Sequence, residues 1–240
     1  MTDDEIALTL VVFAYNEESN VPVVLTDILS CLRARRAPWQ LVFVDDGSTD
    51  GTVDAVRRTV GDDPRCMVCS HERNRGIGAA LKTGVRAATQ PWVSFLPCDG
   101  QIPVGEIGKL TRAAVRDRVR VVFSVYRDRD DGVHRKILSL GVRALMRALL
   151  GVSMRSDGPY LFRRELFDAD RMIPDTFFLN FEFPIRMIRV GEPYATEVIE
   201  CVPRISGHSK STGLRRIAGV ARDLMGLRRR LRAERAGGPR

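Results

Sequence analysis

The sequence LTLVVFAY at Leu8–Tyr15 is a short, uncharged and largely apolar run that ends at the polar residues Asn16-Glu17-Glu18. A run of this length with polar boundaries predicts a buried β-strand. The pattern recurs along the first half of the chain, and each recurrence is followed by a helical spacing of apolar residues. The predicted strands are Leu8–Tyr15, Gln40–Val44, Arg65–Ser70, Pro91–Leu96 and Arg120–Val125, and the predicted helices are Val21–Arg36, a second ending at Arg58, Gly76–Ala88 and Pro103–Arg116.

Strand and helix alternate four times within about 125 residues, which predicts an α/β fold with a mostly parallel sheet and helices on both faces. Ligands of such sheets bind beyond the carboxyl ends of the strands. Polar groups follow three of the predicted strands, at Asn16-Glu17, Asp45-Asp46-Gly47 and Asp99-Gly100-Gln101. We therefore expect these three groups to lie along one edge of the sheet and to form a single site.

The second half of the chain is less regular. It predicts a basic amphipathic helix at Val133–Leu150, a short strand at Tyr160–Phe162, a helix near Phe181–Val190, a strand at Glu197–Val202 and a closing basic helix at Leu214–Arg235. We expect residues 1–212 to form one domain and residues 213–240 a basic amphipathic tail.

The composition is that of a globular protein, with 44% hydrophobic and 28% charged residues among 240. No apolar run approaches the ~20 residues that span a bilayer, and the acidic start is unlike a secretory signal. The five cysteines are an odd number, which favours a reduced, cytoplasmic protein. Cys66 and Cys69 match a C-x-x-C pattern, but in a strand their sulfurs point to opposite faces, which argues against a metal or redox pair.

The net charge of +8 is concentrated at the end of the chain, because Leu214–Arg240 has nine Arg and two acids and therefore carries +7. A basic tail suits an anionic membrane surface or nucleic acid. It also suits a plain solvated helix in a chain that uses Arg for most of its basic residues. We expect a membrane surface at the cytoplasmic face rather than nucleic acid.

Asp99 and Gln101 are candidate ligands of a hard cation, because Mg²⁺ takes carboxylate and carbonyl oxygens together with substrate phosphates. The alternative is a simple Asp-Gly turn. Asp45 and Asp46 are costly at the end of a buried strand unless they are used or capped. Either acid can accept hydrogen bonds from a nucleobase or ribose, and the same segment also suits a strand-to-helix turn capped by Asp50.

Two groups of cations could bind phosphate, since Arg pairs bidentately with phosphate oxygens. The first lies around Arg127 and the second is Arg204-Ile205-Ser206-Gly207-His208-Ser209-Lys210. The segment Asn74-x-Gly76-x-Gly78 fails the dinucleotide pattern, because Leu81 occupies its third glycine position. We interpret these glycines as sites of close backbone approach.

Four segments resemble family 2 glycosyltransferases, with the closest likeness to the polyprenyl-phosphate branch typified by dolichyl-phosphate mannose synthase. They are Phe13-Ala14-Tyr15-Asn16-Glu17-Glu18, Val44-Asp45-Asp46-Gly47-Ser48-Thr49-Asp50-Gly51-Thr52, Asn74-x-Gly76-x-Gly78 and Arg204-x-x-Gly207-x-Ser209-Lys210. The resemblance implies a GT-A fold and inverting, metal-assisted transfer of a sugar from a nucleotide-sugar to a polyprenyl phosphate.

The resemblance also implies roles for particular residues. Asp99 and Gln101 look like the end of the family's D-x-D-x-Q motif and would hold Mg²⁺ or Mn²⁺, with Asp99 also catalytic. Pro97 stands where the first Asp of that motif is expected, and Phe13 replaces a usual Pro. The residues similar to donor-binding positions are Phe13, Tyr15, Glu17, Val44, Asp46, Cys98, Arg127, Arg204 and Lys210.

The nature of the acceptor decides whether a general base is needed. A phosphate monoester is largely ionised at neutral pH and needs none, whereas a hydroxyl does. Asp157 and Glu182 are the candidate bases, and Glu182 also suits a plain first-turn helix acid. The alternatives to lipid-phosphate transfer are a hydroxyl acceptor, a nucleotidyltransferase, a nucleic-acid binder that depends on the tail, and a nucleotide-sugar binder weakened by Pro97.

Overall fold

A computed structural model describes residues 6–127, 146–152, 156, 158–172, 174–176, 178–203 and 214–236, with the side chains of the last helix described for residues 222–234. The strands are β1 (Leu8–Ala14), β2 (Trp39–Asp45), β3 (Cys66–Ser70), β4 (Trp92–Pro97), β5 (Val121–Tyr126), β6 (Leu161–Arg163) and β7 (Tyr194–Ile199). The helices are α1 (Val21–Arg33), α2 (Thr52–Val60), α3 (Ile77–Ala87), α4 (Gly105–Asp117), α5 (Leu179–Arg189) and α6 (Leu214–Ala236). Of the predicted helix Val133–Leu150 only the end is described, and residues 146–150 are helical.

The strands form one sheet in the order β3-β2-β1-β4-β6-β5-β7. The pairs β1–β2, β1–β4, β2–β3 and β5–β7 are parallel, as predicted. Short β6 lies between β4 and β5 and is antiparallel to both, so β5 runs parallel to β4 and ends at the same edge. The direction of β6 was not predicted, and β7 begins three residues before the predicted strand because Tyr194 already pairs with Val121.

Both faces of the central strands β1, β2 and β4 are buried, which is why these strands are largely apolar rather than alternating. Leu10 and Val12 of β1 face a core shared with α1, α2 and α4, whereas Val11 and Phe13 face the core under α3 and α5. Cys66 packs on the first of these cores and Cys69 on the second, which confirms that the two sulfurs point apart. Burial raises the pKa of Cys66 to about 11, so its thiol stays neutral.

The basic C-terminal helix packs onto the body of the protein. Leu224, Leu227 and Leu231 of α6 are buried with Phe178 and Ile185 of the α5 region. The described part of α6 therefore helps to close the core, and the predicted division of the chain at residue 213 stays a prediction. No helix in the described parts of the chain combines the length and the hydropathy that crossing a bilayer requires.

A close contact between α3 and β1 depends on Gly84. A Cβ atom at this position would lie 2.2 Å from the Val11 Cγ1 atom, whereas a Cβ atom at Gly105, the first residue of α4, would meet nothing within 4 Å. We expect Gly84→Ala to lower the free energy of unfolding by about 1–3 kcal/mol through overpacking. Gly105→Ala is the matched control and should be neutral or slightly stabilising. Urea denaturation measures both, and equal midpoints would contradict this packing.

Candidate active site

The carboxyl ends of three neighbouring strands lie side by side at one edge of the sheet. Ala14 of β1 pairs with Asp45 of β2, and Phe13 pairs with Pro97 of β4. The Asp46 N–H donates to the Ala14 carbonyl at 2.8 Å, and the Cys98 N–H donates to the Phe13 carbonyl at 2.9 Å. Since strands are spaced by about 4.8 Å, the polar segments after β2 and β4 begin about 10 Å apart, with the β1 loop between them. The expectation that Glu17, Asp46 and Asp99 lie along one edge of the sheet is confirmed, whereas their forming a single site stays a prediction.

The loops after β1 and β2 are joined by a set of polar contacts. Asn16 adopts a left-handed conformation (φ 55°), which Asn tolerates better than most residues. Its side-chain oxygen accepts the Thr49 N–H at 2.8 Å, and its own N–H donates to the Ser48 hydroxyl at 2.9 Å. One residue further on, the Glu17 N–H donates to the Thr52 hydroxyl at 2.9 Å. Asn16, Ser48, Thr49 and Thr52 therefore shape the site, a role that the sequence reasoning did not assign to them.

Asp46 is a buried carboxylate that receives three internal hydrogen bonds. Its Oδ1 atom accepts the Arg75 N–H at 2.9 Å and lies 2.8 Å from His71 Nδ1. Its Oδ2 atom accepts the Gly76 N–H at 2.8 Å. A carboxylate offers about four acceptor positions, so three are used to hold the segment from His71 to Gly76. The predicted contact of Asp46 with the donor stays a prediction and has about one acceptor position left.

Asp45 and Asp50 satisfy the alternative interpretation of the Asp45–Gly51 segment as a turn. The Asp45 carboxylate accepts the Ser48 N–H at 3.2 Å, which closes a tight turn. The Asp50 carboxylate accepts the Thr52 N–H at 3.0 Å, next to the start of α2. Hydrogen bonding to the Thr52 side chain and nearby N–H groups outweighs burial and lowers the pKa of Asp50. Both carboxylates therefore have hydrogen-bond partners within the fold.

The segment after β4 places a buried carboxylate beside the acids of β1. Asp99 is 5% exposed, and its Oδ1 atom accepts the Gln101 N–H at 3.1 Å across the left-handed Gly100. Burial, followed by the negative charges of Glu17 and Asp99, raises the pKa of the Cys98 thiol. Glu17 follows β1 and Asp99 follows β4, so the two acids lie beyond the ends of adjacent strands.

Asp99 and Gln101 provide oxygen atoms of the kind that bind hard cations. Within the residues that are described, His, Cys, Asp and Glu form no group of three suited to a metal ion. Pro97 ends β4 where a further carboxylate would be expected. Asp99 and Gln101 therefore fit a Mg²⁺ or Mn²⁺ ion that takes one carboxylate from the protein and most of its remaining ligands from phosphates and water.

The other predicted donor-binding side chains differ in their accessibility. Tyr15 and Glu17 are half-buried at the edge, and the Glu17 carboxylate accepts the Asn20 side-chain N–H at 2.5 Å. The Phe13, Val44 and Cys98 side chains lie in the buried cores below the edge. Binding of the nucleotide-sugar by these three residues remains a prediction. Because their side chains are buried, those side chains can act only by shaping the floor of the site.

Arg127 follows β5 and therefore lies at the same edge as the acids. Its N–H donates to the Ile199 carbonyl at 2.9 Å, and its exposed guanidinium is 3.9 Å from the Glu200 carboxylate. Asp157, Arg204 and Lys210 lie outside the described residues. The chain that leads to Arg204 is nevertheless anchored at the site, because the Val202 N–H donates to the Gln101 carbonyl at 2.8 Å.

Glu182 is enclosed in an ion-pair cluster away from solvent. Its side chain is 0% exposed, Arg186 Nε donates to its Oε1 atom at 2.9 Å, and an Arg230 nitrogen lies 3.5 Å from its Oε2 atom. Burial raises the pKa of Glu182, and the hydrogen bond and charge of Arg186 partly oppose this rise. An enclosed acid held by two guanidinium groups has no path to a substrate hydroxyl. The geometry favours a structural anchor between α5 and α6 over a general base.

A crevice of about 550 Å³ lies at the opposite edge of the sheet. Pro91, which precedes β4, and Arg86, near the end of α3, line it. Because these residues are at the amino-terminal end of β4, the crevice is remote from the acids described above. The strand-end acids, and not this cavity, define the candidate site.

Residues 9–179 match the family model described as glycosyl transferase family 2. The chain belongs to this family. It is 31% identical over 172 residues to an undecaprenyl-phosphate 4-deoxy-4-formamido-L-arabinose transferase of Pectobacterium carotovorum, covering 70% of this chain and 52% of the relative. It is 28% identical over 172 residues to a dolichyl-phosphate beta-glucosyltransferase of Trichomonas vaginalis, covering 66% and 53%. This family 2 chain thus spans about half the length of these curated relatives.

Solved structures of glucosyl-3-phosphoglycerate synthase from Mycobacterium tuberculosis share the fold. The complex with Mn²⁺, uridine diphosphate (UDP) and glucosyl-3-phosphoglycerate has a TM-score of 0.69 at 22% identity and covers 98% of this chain and 81% of that one. A second complex, with Mg²⁺ and UDP, has a TM-score of 0.68 at 20% identity, with coverage of 98% and 81%. The predicted GT-A fold and the resemblance to the polyprenyl-phosphate branch of family 2 are confirmed.

The two candidate roles of Glu182 predict different kinetics. A general base contributes about 10²–10⁴-fold to the rate, whereas an anchor contributes stability. We expect Glu182→Gln to keep kcat within about threefold while lowering the thermal midpoint, because the amide cannot balance Arg186 and Arg230. Asp99→Asn serves as the inactive reference in the same assay. A loss of kcat above 100-fold with an unchanged thermal midpoint would restore Glu182 as the base.

Proposed function

We propose that this protein transfers a sugar from a nucleotide-sugar to a polyprenyl phosphate at a membrane surface. The observation that carries the proposal is the position of Glu17, Asp46 and Asp99 along one edge of a GT-A sheet, beyond the ends of three neighbouring strands. The names of the curated relatives, which include transferases acting on undecaprenyl and dolichyl phosphate, supply the acceptor class.

In this scheme, polar and acidic residues hold the base and ribose of the donor, and cations hold its diphosphate. Tyr15, Glu17 and Asp46 lie at the ends of β1 and β2, where they are placed to hold the base and ribose. Arg127, together with Arg204 and Lys210, supplies positive charge for the diphosphate and the acceptor phosphate. Asp99 and Gln101 would hold Mg²⁺ or Mn²⁺, which would supply positive charge for the leaving diphosphate.

The acceptor needs no strong base in this scheme. Its phosphate is largely ionised at neutral pH because the second pKa of a phosphate monoester is about 6. An acceptor oxygen attacks the anomeric carbon, and the bond from that carbon to the donor diphosphate breaks as the new one forms. The enclosure of Glu182 agrees with a reaction of this kind. A hydroxyl acceptor would instead require a base, for which Asp157 is the remaining candidate.

A second candidate function is nucleotide-sugar binding with weak turnover. Pro97 favours it, because this residue leaves Asp99 as the single acidic ligand expected from the β4 loop. Binding of the donor without product formation in the assay below would support this alternative.

The exposed face of α6 is our candidate for the membrane contact. Arg222, Met225, Arg229 and Arg232 are exposed and recur at intervals of three and four residues, which places them on one side of the helix. Leu224, Leu227 and Leu231 hold the other side against the body. Such a stripe of Arg with an apolar residue suits the anionic cytoplasmic face of a bilayer.

Transfer is tested with a panel of radiolabelled donors and undecaprenyl phosphate. The panel includes UDP-glucose, GDP-mannose and UDP-4-deoxy-4-formamido-L-arabinose, with Mg²⁺ or Mn²⁺, and the readout is lipid-extractable label. We expect one donor to label the lipid and Asp99→Asn to reduce the rate at least about 100-fold, because it removes charge aimed at the leaving group. A reaction without lipid acceptor controls for hydrolysis. Full activity of Asp99→Asn, or label only in water-soluble products, would contradict the proposal.

The membrane contact predicts a charge-dependent affinity for vesicles. Each basic residue near an anionic surface contributes about 1 kcal/mol, so replacing Arg222, Arg229 and Arg232 by Gln should weaken binding by about 3 kcal/mol, or about 100-fold. Co-sedimentation with phosphatidylglycerol vesicles measures this loss, and phosphatidylcholine vesicles give the uncharged baseline. Replacing Arg36, Arg57 and Arg58, which are exposed elsewhere, is the matched control. Equal losses in both triple variants would mean that only net charge matters.

A further inference from the structure

The start of α3 is enclosed by two acidic residues that come from distant parts of the chain. On one side, Asp46 accepts the N–H groups of Arg75 and Gly76. On the other side lies Asp175, in the segment 174–176 that precedes α5. The loop that connects β3 to α3 is therefore fixed between the carboxyl edge of the sheet and this second segment.

Asp175 holds the helix through its backbone. Its carbonyl oxygen accepts the Gly78 N–H at 3.0 Å and the Ala79 N–H at 3.2 Å, which are among the donors that a helix start leaves unsatisfied. The approach is so close that a Cβ atom at Gly76 would lie 2.7 Å from this carbonyl oxygen, and one at Gly78 would lie 2.6 Å from that of Thr176. The glycines of the Asn74-x-Gly76-x-Gly78 segment are thus required by a chain that crosses directly over them.

The Asp175 side chain is in turn fixed by Lys82, one turn further along α3. Lys82 is 8% exposed, its Nζ atom donates to the Met172 carbonyl at 3.1 Å, and it forms an ion pair with Asp175 Oδ1. Arg75 adds a longer pair, at 3.6 Å, to Asp175 Oδ2. A buried cation is retained at such a position only where opposite charge and carbonyl oxygens replace its water. The Lys82–Asp175 pair therefore fixes where segment 174–176 lies on α3.

Segment 174–176 also contacts the C-terminal helix. The Thr176 hydroxyl donates to Asp223 Oδ2 at 3.0 Å and accepts the Phe178 N–H at 3.2 Å. A continuous series of polar contacts thus runs from α6 through Thr176 and Asp175 to the start of α3, and from there to Asp46. Every residue in this series is linked by a hydrogen bond or by the chain itself.

We infer that Asp175 is a positioning residue for the donor site. It does not reach the acids at the sheet edge; it holds the start of α3 so that the Arg75 and Gly76 N–H groups stay aligned with Asp46. The inference rests on the proposed function, since it takes this edge as the nucleotide site. Loss of the Asp175 carboxylate should loosen the loop and weaken the donor nucleotide, while the chemical step at saturating donor changes little.

The test compares Asp175→Asn with Asp170→Asn. Asp170 is an acid of the same region that also pairs with an Arg of α3, at 2.6 Å from Arg86, but it lies beside the crevice at the opposite edge. UDP with Mn²⁺ is the probe, measured by calorimetry, and amide hydrogen exchange is followed at residues 75–79. We expect Asp175→Asn to weaken UDP binding about tenfold, in the range typical of supporting residues around a site, and to speed exchange at residues 75–79. Asp170→Asn should change neither.

A double variant separates positioning from mere stability. Lys82→Met combined with Asp175→Asn removes both charges and leaves no buried cation without its partner, so its thermal midpoint should recover relative to Asp175→Asn. We expect its UDP affinity to stay weak and its kcat at saturating donor to remain within about threefold of the parent. Asp175→Glu, which keeps the carboxylate, should recover most of the affinity.

The outcomes distinguish this inference from the proposed function. Unchanged exchange at residues 75–79 in Asp175→Asn overturns the inference, whatever the parent protein binds. Parent-like UDP affinity in the double variant overturns it as well, since Asp175 would then act on stability alone. If the parent itself binds neither UDP nor GDP and transfers no sugar, the proposed function fails, while faster exchange in Asp175→Asn alone would still support the coupling of Asp175 to the loop.

Discussion

The carboxylate of Asp46 is the interaction on which the carboxyl edge of this sheet depends. A carboxyl group that is 5% exposed has lost nearly all of its water, and leaving it without hydrogen-bond partners would cost several kcal/mol. Here two backbone N–H groups and one imidazole nitrogen replace that water. Because these donors come from His71, Arg75 and Gly76, stabilising the charge also fixes the β3–α3 loop against the end of β2. The chemistry of one side chain thereby determines the shape of one wall of the site.

The neighbouring loops are held together in a similar way. Asn16, Ser48 and Thr52 belong to the segments that resemble the family, and the side chain of each forms a hydrogen bond with another loop of the protein. Short polar side chains lose little rotamer freedom when they form hydrogen bonds. Such contacts can therefore hold a ligand-binding edge rigid with a small loss of conformational entropy. Glu17 and Asp99 lie beyond the ends of the adjacent strands β1 and β4, next to these loops. The polar residues of the loops thus hold the edge in shape beside the two acids.

Local patterns in the sequence were sufficient for the parallel half of the fold. Strands β1 to β5 are short apolar runs with polar ends, and their order of alternation with helices leaves few topologies. The close approach at Gly76 and Gly78 was also predicted, since glycines in a turn without a phosphate pattern indicate backbone contact. The direction of β6 could not be predicted, because it pairs through only Leu161, Phe162 and Arg163. Pairing of so few residues is decided by the neighbouring strands and leaves no periodic signal.

Side-chain roles were harder to predict where partners are distant in sequence. The sequence left Glu182 as either a candidate base or a plain helix acid, because its partner Arg230 lies 48 residues further along the chain. The Lys82–Asp175 pair is separated by more than 90 residues and leaves no spacing that a sequence could reveal. The packing of α5 against α6 brings Glu182 and Arg230 together, and the crossing of segment 174–176 over α3 brings Lys82 and Asp175 together.

The composition of α6 alone did not decide whether the helix is solvated on every side or packs on the protein with one side. A helix with this many Arg residues could be solvated on every side, yet Leu224, Leu227 and Leu231 recur at three- and four-residue intervals and are buried. Two acids of the region are used inward as well, since Asp223 bonds Thr176 and Glu234 pairs with Arg186 at 3.1 Å. Arg230 also faces inward, 3.5 Å from the Glu182 carboxylate, whereas Arg222, Arg229 and Arg232 are exposed on the opposite side. Among the described side chains of α6, the inward face therefore combines buried leucines with a few paired charges, and the outward face carries the exposed Arg residues.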